Sequence, residues 1–290
     1  MFQSAILAPV PSHAIALSFG LTPGDPREAL ARVRELAADP AVILGLGAPL
    51  LAAAERPIAG LRAFPALAGP GCAFPSTQGA LWARLVGGDP GEALHNARRL
   101  RAALGEAFRV EEEVSLFAHA GGRDLSGYED GTENPKDDDA VAAAIVAGEG
   151  EGRDGASFVS AQRWVHDLAR LERMSQETRD HLVGRRLSDN EEIDDAPPHA
   201  HVKRSAQESF DPPAFMLRRS MPWGTSTENG LYFIAFGASL DPFERILRRM
   251  AGLDDGVTDG LLRFTRAVSG GHYWCPPVSG DRYDLRAIGA

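Results

Sequence analysis

The chain has 290 residues, which corresponds to two domains at the usual size of about 150 residues per domain. Apolar residues make up 44% and charged residues 24% of the sequence, as is typical of a soluble protein with a buried core and unlike a disordered chain. The 40 acidic residues outnumber the 30 basic ones and give a net charge of −10, which disfavours nucleic acid and anionic membrane surfaces as partners.

The first third of the chain predicts strands and helices in irregular alternation. The opening residues lack a basic segment and are broken by two prolines, which argues against a secretory signal. Apolar spacing predicts a strand over 14–19, a helix beginning near Pro26, a second helix over 91–108 and a strand over 114–120. The longest apolar run, 41–54, is shorter than the roughly 20 residues that span a bilayer, so it predicts core.

The second part of the chain begins with a loop and then predicts a β-rich pattern. Segment 121–140 is rich in Gly, Asp, Asn and Pro, so most of it is predicted to be loop. The predicted elements after it are a strand over 158–164, helix over 165–185, extended segments over 201–207, 212–224 and 229–238, and an amphipathic helix over 241–252. This order predicts an α+β fold of two ferredoxin-like domains with antiparallel sheets, covering 1–115 and 116–290.

The chain contains two cysteines, Cys72 and Cys275. Two cysteines are too few for a disulfide framework, and their positions match no metal-binding spacing. They are predicted to be free thiols in a reducing compartment, which places the protein in the cytoplasm.

The most unusual motif runs from Gly127 to Pro135 and reads GYEDGTENP. Two glycines bracket a carboxylate pair in a loop, so the backbone can pass close to a flat ligand while Asp130 is held at a defined angle. An acidic surface turn has the same composition. A calcium loop is excluded because the alternate-residue ligands of an EF-hand are absent.

A second motif contains two histidines, His199 and His201, in the segment PPHAHVKR. In an extended strand both side chains point to the same face, and either could bind a metal or serve as the single axial ligand of a haem. A His-x-His pair also occurs in zinc sites, but no Cys or third His lies nearby to complete such a site. A packed or surface histidine is the alternative for either position.

A third motif, MLRRSMPWG, lies at the end of an apolar segment. Strand alternation sends Arg218 and Ser220 to one face and Arg219 to the other. An arginine on a buried face needs an anionic partner, whereas a solvated strand end would need none.

Taken together and in this order, the three motifs resemble those of the dye-decolourising peroxidases, most closely the bacterial B-type branch. GYEDG resembles the family's G-x-x-D-G motif, and HVKR followed 17 residues later by RRSMPWG resembles its proximal-histidine and distal-arginine segments. Further matching segments are SAQRWVHDL at 160–168, VGR at 183–185 and TDGLLRFT at 258–265. The resemblance covers about residues 115–275, is weaker in the first third, and places a haem pocket mainly in the C-terminal domain.

The resemblance implies a role for individual residues. His201 takes the position of the proximal haem ligand and Asp259 that of its acidic partner, which pushes electron density toward iron. Asp130 and Arg218 take the positions of the distal catalytic pair. The remaining implied site residues are Ser220 as a third catalytic residue, Arg185 at a haem propionate, and Glu129, Gly131 and Thr132 at the edge of the macrocycle.

The resemblance therefore implies a haem b peroxidase that reduces hydrogen peroxide and oxidises dyes, phenols or other small one-electron donors through an oxoferryl intermediate. A carboxylate can move the proton that peroxide must shift between its oxygens, and a guanidinium can stabilise the developing charge. The alternative is a haem-handling or porphyrinogen-oxidising protein of the same fold. The resemblance also implies a homo-oligomer. Aromatic candidates for carrying electrons to bulky donors are Trp164, Trp223, Tyr232, Tyr273 and Trp274.

Overall fold

The same strand and helix order occurs twice in the chain, as the computed structural model of residues 1–289 shows. The strands are β1 (His13–Leu21), β2 (Val42–Gly47), β3 (Leu67–Gly69), β4 (Cys72–Phe74), β5 (Leu81–Gly87), β6 (Phe108–Phe117), β7 (Ser157–His166), β8 (Leu217–Arg218), β9 (Met221–Gly224), β10 (Asn229–Gly237), β11 (Thr265–Ala267), β12 (Gly271–Cys275), β13 (Val278–Ser279) and β14 (Arg282–Tyr283). The α-helices are α1 (Pro26–Glu35), α2 (Ala48–Ala53), α3 (Pro90–Leu104), α4 (Asp137–Ala144), α5 (Leu168–Glu172), α6 (Gln176–Val183), α7 (His201–Ser205) and α8 (Asp241–Met250).

Helix boundaries follow local signals in the sequence. Pro26 begins α1 directly after Asp25, whose carboxylate accepts a hydrogen bond from the first turn. Asp89 caps α3 and Ser175 caps α6 in the same way. Gly184 ends α6 with a φ of +90°, which glycine adopts without strain. These signals place the predicted helices correctly, although the predicted helix over 165–185 is two short helices, α5 and α6.

Each half of the chain forms a four-stranded antiparallel sheet with ferredoxin-like topology. The first half follows the order β1, α1, β2, β5, α3, β6, and its strands lie side by side as β2-β5-β1-β6. The second half follows the order β7, helices, β9, β10, α8, β12, and its strands lie as β9-β10-β7-β12. The α+β fold with two ferredoxin-like units is therefore confirmed.

Each edge strand of one sheet pairs over a short stretch, called a seam here, with an edge strand of the other sheet. β12 pairs with β2 at Tyr273 and Trp274, and β6 pairs with β9 only at Leu116. The space between the sheets is filled by apolar side chains from both halves, among them Trp82 and Ile234. Both units thus contribute to the core between the sheets.

The outer face of each sheet packs against its own helices. Helices α1 and α3 cover the first sheet, and α8 covers the second. Because both faces of every central strand are covered, β2 is buried at all six of its positions, Val42–Gly47. This explains why its sequence is a continuous apolar run rather than an alternating pattern.

Two predicted boundaries differ from the structure. The helix predicted over 91–108 ends at Leu104, because Gly105 adopts a φ of +61° that an α-helix does not continue. β6 begins at Phe108, earlier than predicted, and it contains the glutamates at 111–113. The domain boundary after residue 115 falls within the last residues of β6 and stays a prediction. Within residues 1–289, no helix is long and apolar enough to cross a bilayer.

Candidate functional site

A large cavity lies between the outer face of the second sheet and its helices. The space within its walls, part of it open to solvent, is about 1540 Å³. Every lining residue lies between 124 and 265. Much of the wall is apolar, and its larger side chains are Met216, Leu231, Phe233, Phe243, Ile246, Leu247, Met250 and Phe264.

His201 is the first residue of α7, and its ring lines this cavity. Its Nδ1 lies 2.8 Å from Oδ2 of Asp259, and because a carboxylate only accepts, Nδ1 is the donor. Asp259 is 1% exposed, and its other oxygen accepts a hydrogen bond from the backbone N–H of Leu261 at 2.8 Å. The carboxylate is therefore fixed, and it leaves the Nε2 lone pair of His201 available.

The segment 201–207 was predicted to be extended, and this prediction is wrong. Two prolines precede it, and the carbonyl of Ala200 accepts hydrogen bonds from the N–H groups of Lys203 and Arg204, which begins α7. His199 and His201 consequently do not share a strand face. His199 lies outside the cavity, where burial and the charge of Arg263 lower its pKa. Within residues 1–289, no three His, Cys, Asp or Glu side chains are grouped to hold a metal ion.

Asp130 and Arg218 lie together on another part of the cavity wall. Nη1 of Arg218 is 3.5 Å from Oδ1 of Asp130, and the two side chains are 15% and 22% exposed respectively. The buried Nε–H of Arg218 has no hydrogen-bond partner within the described chain. The pair thus places a carboxylate and a guanidinium on the cavity wall.

Asn134 holds this pair in place, and sequence reasoning missed it. Its Nδ2 donates to the carbonyl oxygen of Arg218 at 3.0 Å, and its Oδ1 accepts from the backbone N–H of Arg218 at 2.8 Å. The amide therefore ties the Gly127–Pro135 loop to β8. Gly131 is required beside it, because its φ is +78° and a Cβ there would lie 2.7 Å from Nδ2 of Asn134.

Ser220 and Arg219 point away from the main cavity. Ser220 is buried beside a smaller cavity that Asp130 and Arg218 also line, and its hydroxyl accepts from the N–H of Ile234 at 3.4 Å. Arg219 turns to the opposite side and donates to the carbonyl oxygens of Leu7 and Ala8. Arg218 and Ser220 thus share a side, as strand alternation predicts, but Ser220 does not reach the main cavity.

The rim of the cavity is polar and is organised by Asn190. Its Nδ2 donates to Glu129 Oε2 at 3.0 Å and to Thr132 Oγ1 at 3.1 Å. Arg185 donates to the carbonyl of Asn190 at 2.9 Å and pairs with Glu133 at 2.6 Å. Arg185, Glu129, Gly131 and Thr132 all line the cavity, so the structure brings these predicted residues together.

A part-buried His–Asp pair also lines the cavity. Nε2 of His166 lies 3.0 Å from Oδ1 of Asp124, and its Nδ1 lies 2.7 Å from the hydroxyl of Thr265. Burial raises the pKa of Asp124, but the hydrogen bonds from His166 and Ser126 outweigh burial and bring that pKa below its usual value. His166 stood in a matching segment of the sequence, yet nothing local indicated its partner 42 residues away.

The aromatic residues proposed as electron carriers are all buried. Trp164 is 7% exposed and lines the cavity, whereas Trp223, Tyr232, Tyr273 and Trp274 are at most 5% exposed. Tyr232 and Tyr273 lie in the core between the sheets. None of the five reaches the surface to meet a bulky donor.

These walls fit a haem. The apolar side chains can pack against a porphyrin, the free Nε2 of His201 can hold its iron, and the Arg218 guanidinium lies on the same cavity with Asp130. The two ferredoxin-like units and this site together define a haem peroxidase.

Comparison with known proteins agrees with this class. The family model described as "Dyp-type peroxidase, C-terminal" matches residues 121–280. The dye-decolorizing peroxidase of Mycobacterium tuberculosis is 33% identical over 224 residues, which are 75% of this chain and 67% of that protein. The dye-decolorizing peroxidase of Brevibacterium linens is 34% identical over 243 residues, which are 81% of this chain and 66% of that protein. The chain thus spans about two thirds of the length of these relatives.

Solved structures show the same fold over nearly the whole chain. DypB from Rhodococcus jostii RHA1 superimposes with a TM-score of 0.83 at 28% identity and covers 95% of this chain and 96% of its own. A variant of that protein, solved in complex with heme, gives a TM-score of 0.84 at 29% identity and covers 94% of this chain and 95% of its own. The chain therefore belongs to the Dyp-type peroxidase family.

Proposed function

We propose that this chain is a haem b peroxidase that reduces hydrogen peroxide and oxidises dyes, phenols or other small one-electron donors. One observation carries the proposal: His201, which Asp259 holds from behind, lies on the walls of the same largely apolar cavity as the pair of Asp130 with Arg218. The Rhodococcus structure in complex with heme supports the identity of the cofactor.

The chain's own residues would hold the haem in defined ways. His201 would bind the iron through Nε2, while its hydrogen bond to Asp259 fixes the ring and raises its basicity. Arg185 would provide a cation at the rim for a propionate, and Glu129, Gly131 and Thr132, which line the cavity, would border the macrocycle. When bound, haem supplies the redox chemistry that amino-acid side chains lack.

Asp130 and Arg218 would act on the peroxide. Asp130 takes the proton from one peroxide oxygen and returns it to the other, which then leaves as water. Arg218 donates hydrogen bonds to the negative charge that develops as the bond between the oxygens breaks. Ser220 lines the smaller cavity together with Asp130 and Arg218, and from there it would help to hold the two side chains in position.

We also propose a cytoplasmic location and a homo-oligomeric assembly. Both cysteines are free thiols, Cys72 half-buried and Cys275 buried, which supports a reducing compartment. The assembly rests on the family resemblance. Light scattering of the purified chain tests it, and a monomer at micromolar concentration would contradict it.

Absorption spectroscopy tests the ligand assignment. His201→Ala should abolish the Soret band after reconstitution with haem, whereas His199→Ala should keep it, because His199 lies outside the cavity. The reverse result would identify His199, and not His201, as the iron ligand.

Stopped-flow mixing with peroxide then tests the catalytic pair. Asp130→Ala and Arg218→Leu should retain haem but slow the first spectral change by at least about a hundredfold, the usual contribution of a proton-transfer group or charge-stabilising donor. If the variants reacted at the parent rate, Asp130 and Arg218 would not be catalytic residues. A haem-handling protein would then be the better interpretation.

A further inference from the structure

The helix that carries His201, α7, has only five residues. A helix of little more than one turn has almost no stability of its own, because its first hydrogen bonds fix more backbone freedom than they offset. Contacts from outside α7 must therefore set the orientation of His201. Arg204, three residues further along the same helix, makes three such contacts.

The guanidinium of Arg204 binds the segment that begins at the end of α8. Its Nη1 and Nη2 donate to the two carboxylate oxygens of Asp255, each at 2.7 Å, and Nη2 also donates to the carbonyl oxygen of Arg249 at 2.6 Å. The side chain of Arg204 is 6% exposed, whereas that of Asp255 is 47% exposed. A two-pronged pair of this kind fixes the direction of approach as well as the distance.

The segment that Arg204 binds also carries Asp259, and it is tightly folded. Oδ1 of Asp255 accepts a hydrogen bond from the N–H of Val257 at 3.0 Å. The N–H of Asp259 donates to the carbonyl oxygen of Met250 at 2.8 Å, so the segment returns to the end of α8. Asp255 and Asp259 therefore present their carboxylates to α7 from one well-defined piece of backbone.

α7 is thus joined to this segment at two points, His201 with Asp259 and Arg204 with Asp255. Residues three apart in a helix lie on the same side of it, so the two contacts act together. We propose that Arg204 is a positioning residue for the iron ligand. By fixing α7 to Asp255, it keeps Nδ1 of His201 within hydrogen-bonding distance of Asp259. This inference rests on the proposed function, in which His201 holds a haem iron.

Arg204 does not line the cavity, so it acts on the iron through His201 or through its charge alone. These two effects have opposite signs. A weaker hydrogen bond between His201 and Asp259 makes the imidazole a poorer electron donor, which raises the iron reduction potential. Loss of a nearby cation with His201 unmoved lowers that potential, because the more positive ferric state is then less disfavoured. The direction of the shift separates position from charge.

A potentiometric titration of the haem-loaded protein provides the test. Arg204→Met should raise the reduction potential by at least about half of the shift that Asp259→Asn produces. Resonance Raman spectra of the ferrous protein should show a lower iron–histidine stretching frequency in the same variant. An Arg204→Met variant that binds haem with an unchanged or lowered potential overturns the inference.

A second variant keeps the test available if Arg204→Met folds poorly. Asp255→Asn removes one of the two oxygens that bind Arg204 and keeps an acceptor for the N–H of Val257, so it should also raise the potential. Asp254→Asn is the matched control, because it removes the same charge from the adjacent residue, which pairs instead with Arg248. If Asp255→Asn and Asp254→Asn gave equal potentials, Arg204 would not position His201.

A double variant shows whether Arg204 acts through Asp259. Arg204→Met combined with Asp259→Asn should have the potential of Asp259→Asn alone, because the bond that Arg204 maintains is already lost. Full addition of the two shifts overturns the inference, while haem binding by the parent leaves the proposed function in place. If His201→Ala bound haem as the parent does, the proposed iron ligand would be wrong, and the role of Arg204 with it.

Discussion

The side-chain amide of Asn134 makes two hydrogen bonds to the backbone of Arg218, and replacing Asn134 with alanine should test whether they hold the Asp130–Arg218 pair together. The substitution removes both bonds. It leaves the part-buried backbone N–H of Arg218 without this partner, while the Arg218 carbonyl still accepts from Nη1 of Arg219 at 3.1 Å. Stability and the reaction with peroxide should therefore both fall.

The size of each effect follows from the geometry. Two hydrogen bonds at about 1 kcal/mol each give a loss of about 2 kcal/mol, rising to about 3 kcal/mol when the cost of the unpaired backbone N–H is included. At an unfolding entropy of about 2.1 cal/mol/K per residue, a loss of 2 kcal/mol lowers Tm by about 3 °C in a chain of 290 residues. A displacement of about 1 Å at Arg218 would slow the peroxide reaction about a hundredfold.

Differential scanning calorimetry measures the first effect and stopped-flow absorbance the second, both on haem-loaded protein. Asn229→Ala is the matched control, because the buried Oδ1 of Asn229 has no hydrogen-bond partner within the described chain. It should change Tm by less than about 1 °C. If Asn134→Ala matched this control in both measurements, the loop would be held by other contacts and the reasoning would be wrong.

Three further predictions concern single carboxylates. Asp259→Asn should retain haem but raise the iron reduction potential in a potentiometric titration, since an amide donates less electron density to the axial imidazole; an unchanged potential would contradict the hydrogen bond. Asp124 has a depressed pKa, so its contribution to stability is present above pH about 4 and is lost as the pH falls through the folded-state value. Asp124→Asn should therefore make unfolding less dependent on pH in this acidic range, and an unchanged acid transition would speak against the pair with His166. Asp89→Ala should lower the free energy of unfolding by about 1 kcal/mol in a denaturant titration, because it removes the acceptor for the N–H of Glu92 at the start of α3; a loss below about 0.3 kcal/mol would show that the cap contributes little.

Much of the fold could be predicted because its signals are local. Pro26, Asp25 and the apolar spacing after them specify α1, and the pattern from Asp241 to Met250 specifies α8. The repeated ferredoxin-like order could be inferred from these elements even though the two halves share no evident sequence repeat. The joining of the sheets could not, because it depends on Leu116 meeting a strand about 100 residues later.

The site was predicted where a motif carries its chemistry in adjacent residues, and missed where partners are distant. Asp130 and Arg218 came from motifs, and they lie together as a pair. Asn134, in contrast, acts through a residue 84 positions away, and His166 pairs with one 42 positions away. Asparagine is common in turns, so its presence in this turn-rich segment does not by itself indicate a functional role. Only the folded structure shows that Asn134 holds Arg218.

The short seam between β6 and β9 has a consequence for how copies of this chain can associate. Before Leu116, the outer side of β6 has no strand partner within the described residues, and such an unpaired edge can template the addition of another chain. Glu111 and Glu112 on this edge pair with Arg109 and Arg163, whereas the exposed Glu113 has no ion-pair partner within the described residues. An incoming copy of the same strand that aligned these positions would therefore bring two Glu113 carboxylates within a few ångströms of each other. Electrostatic repulsion thus protects the edge, and lowering the ionic strength should strengthen that protection. Contacts between copies are accordingly expected on the helical faces rather than along this strand.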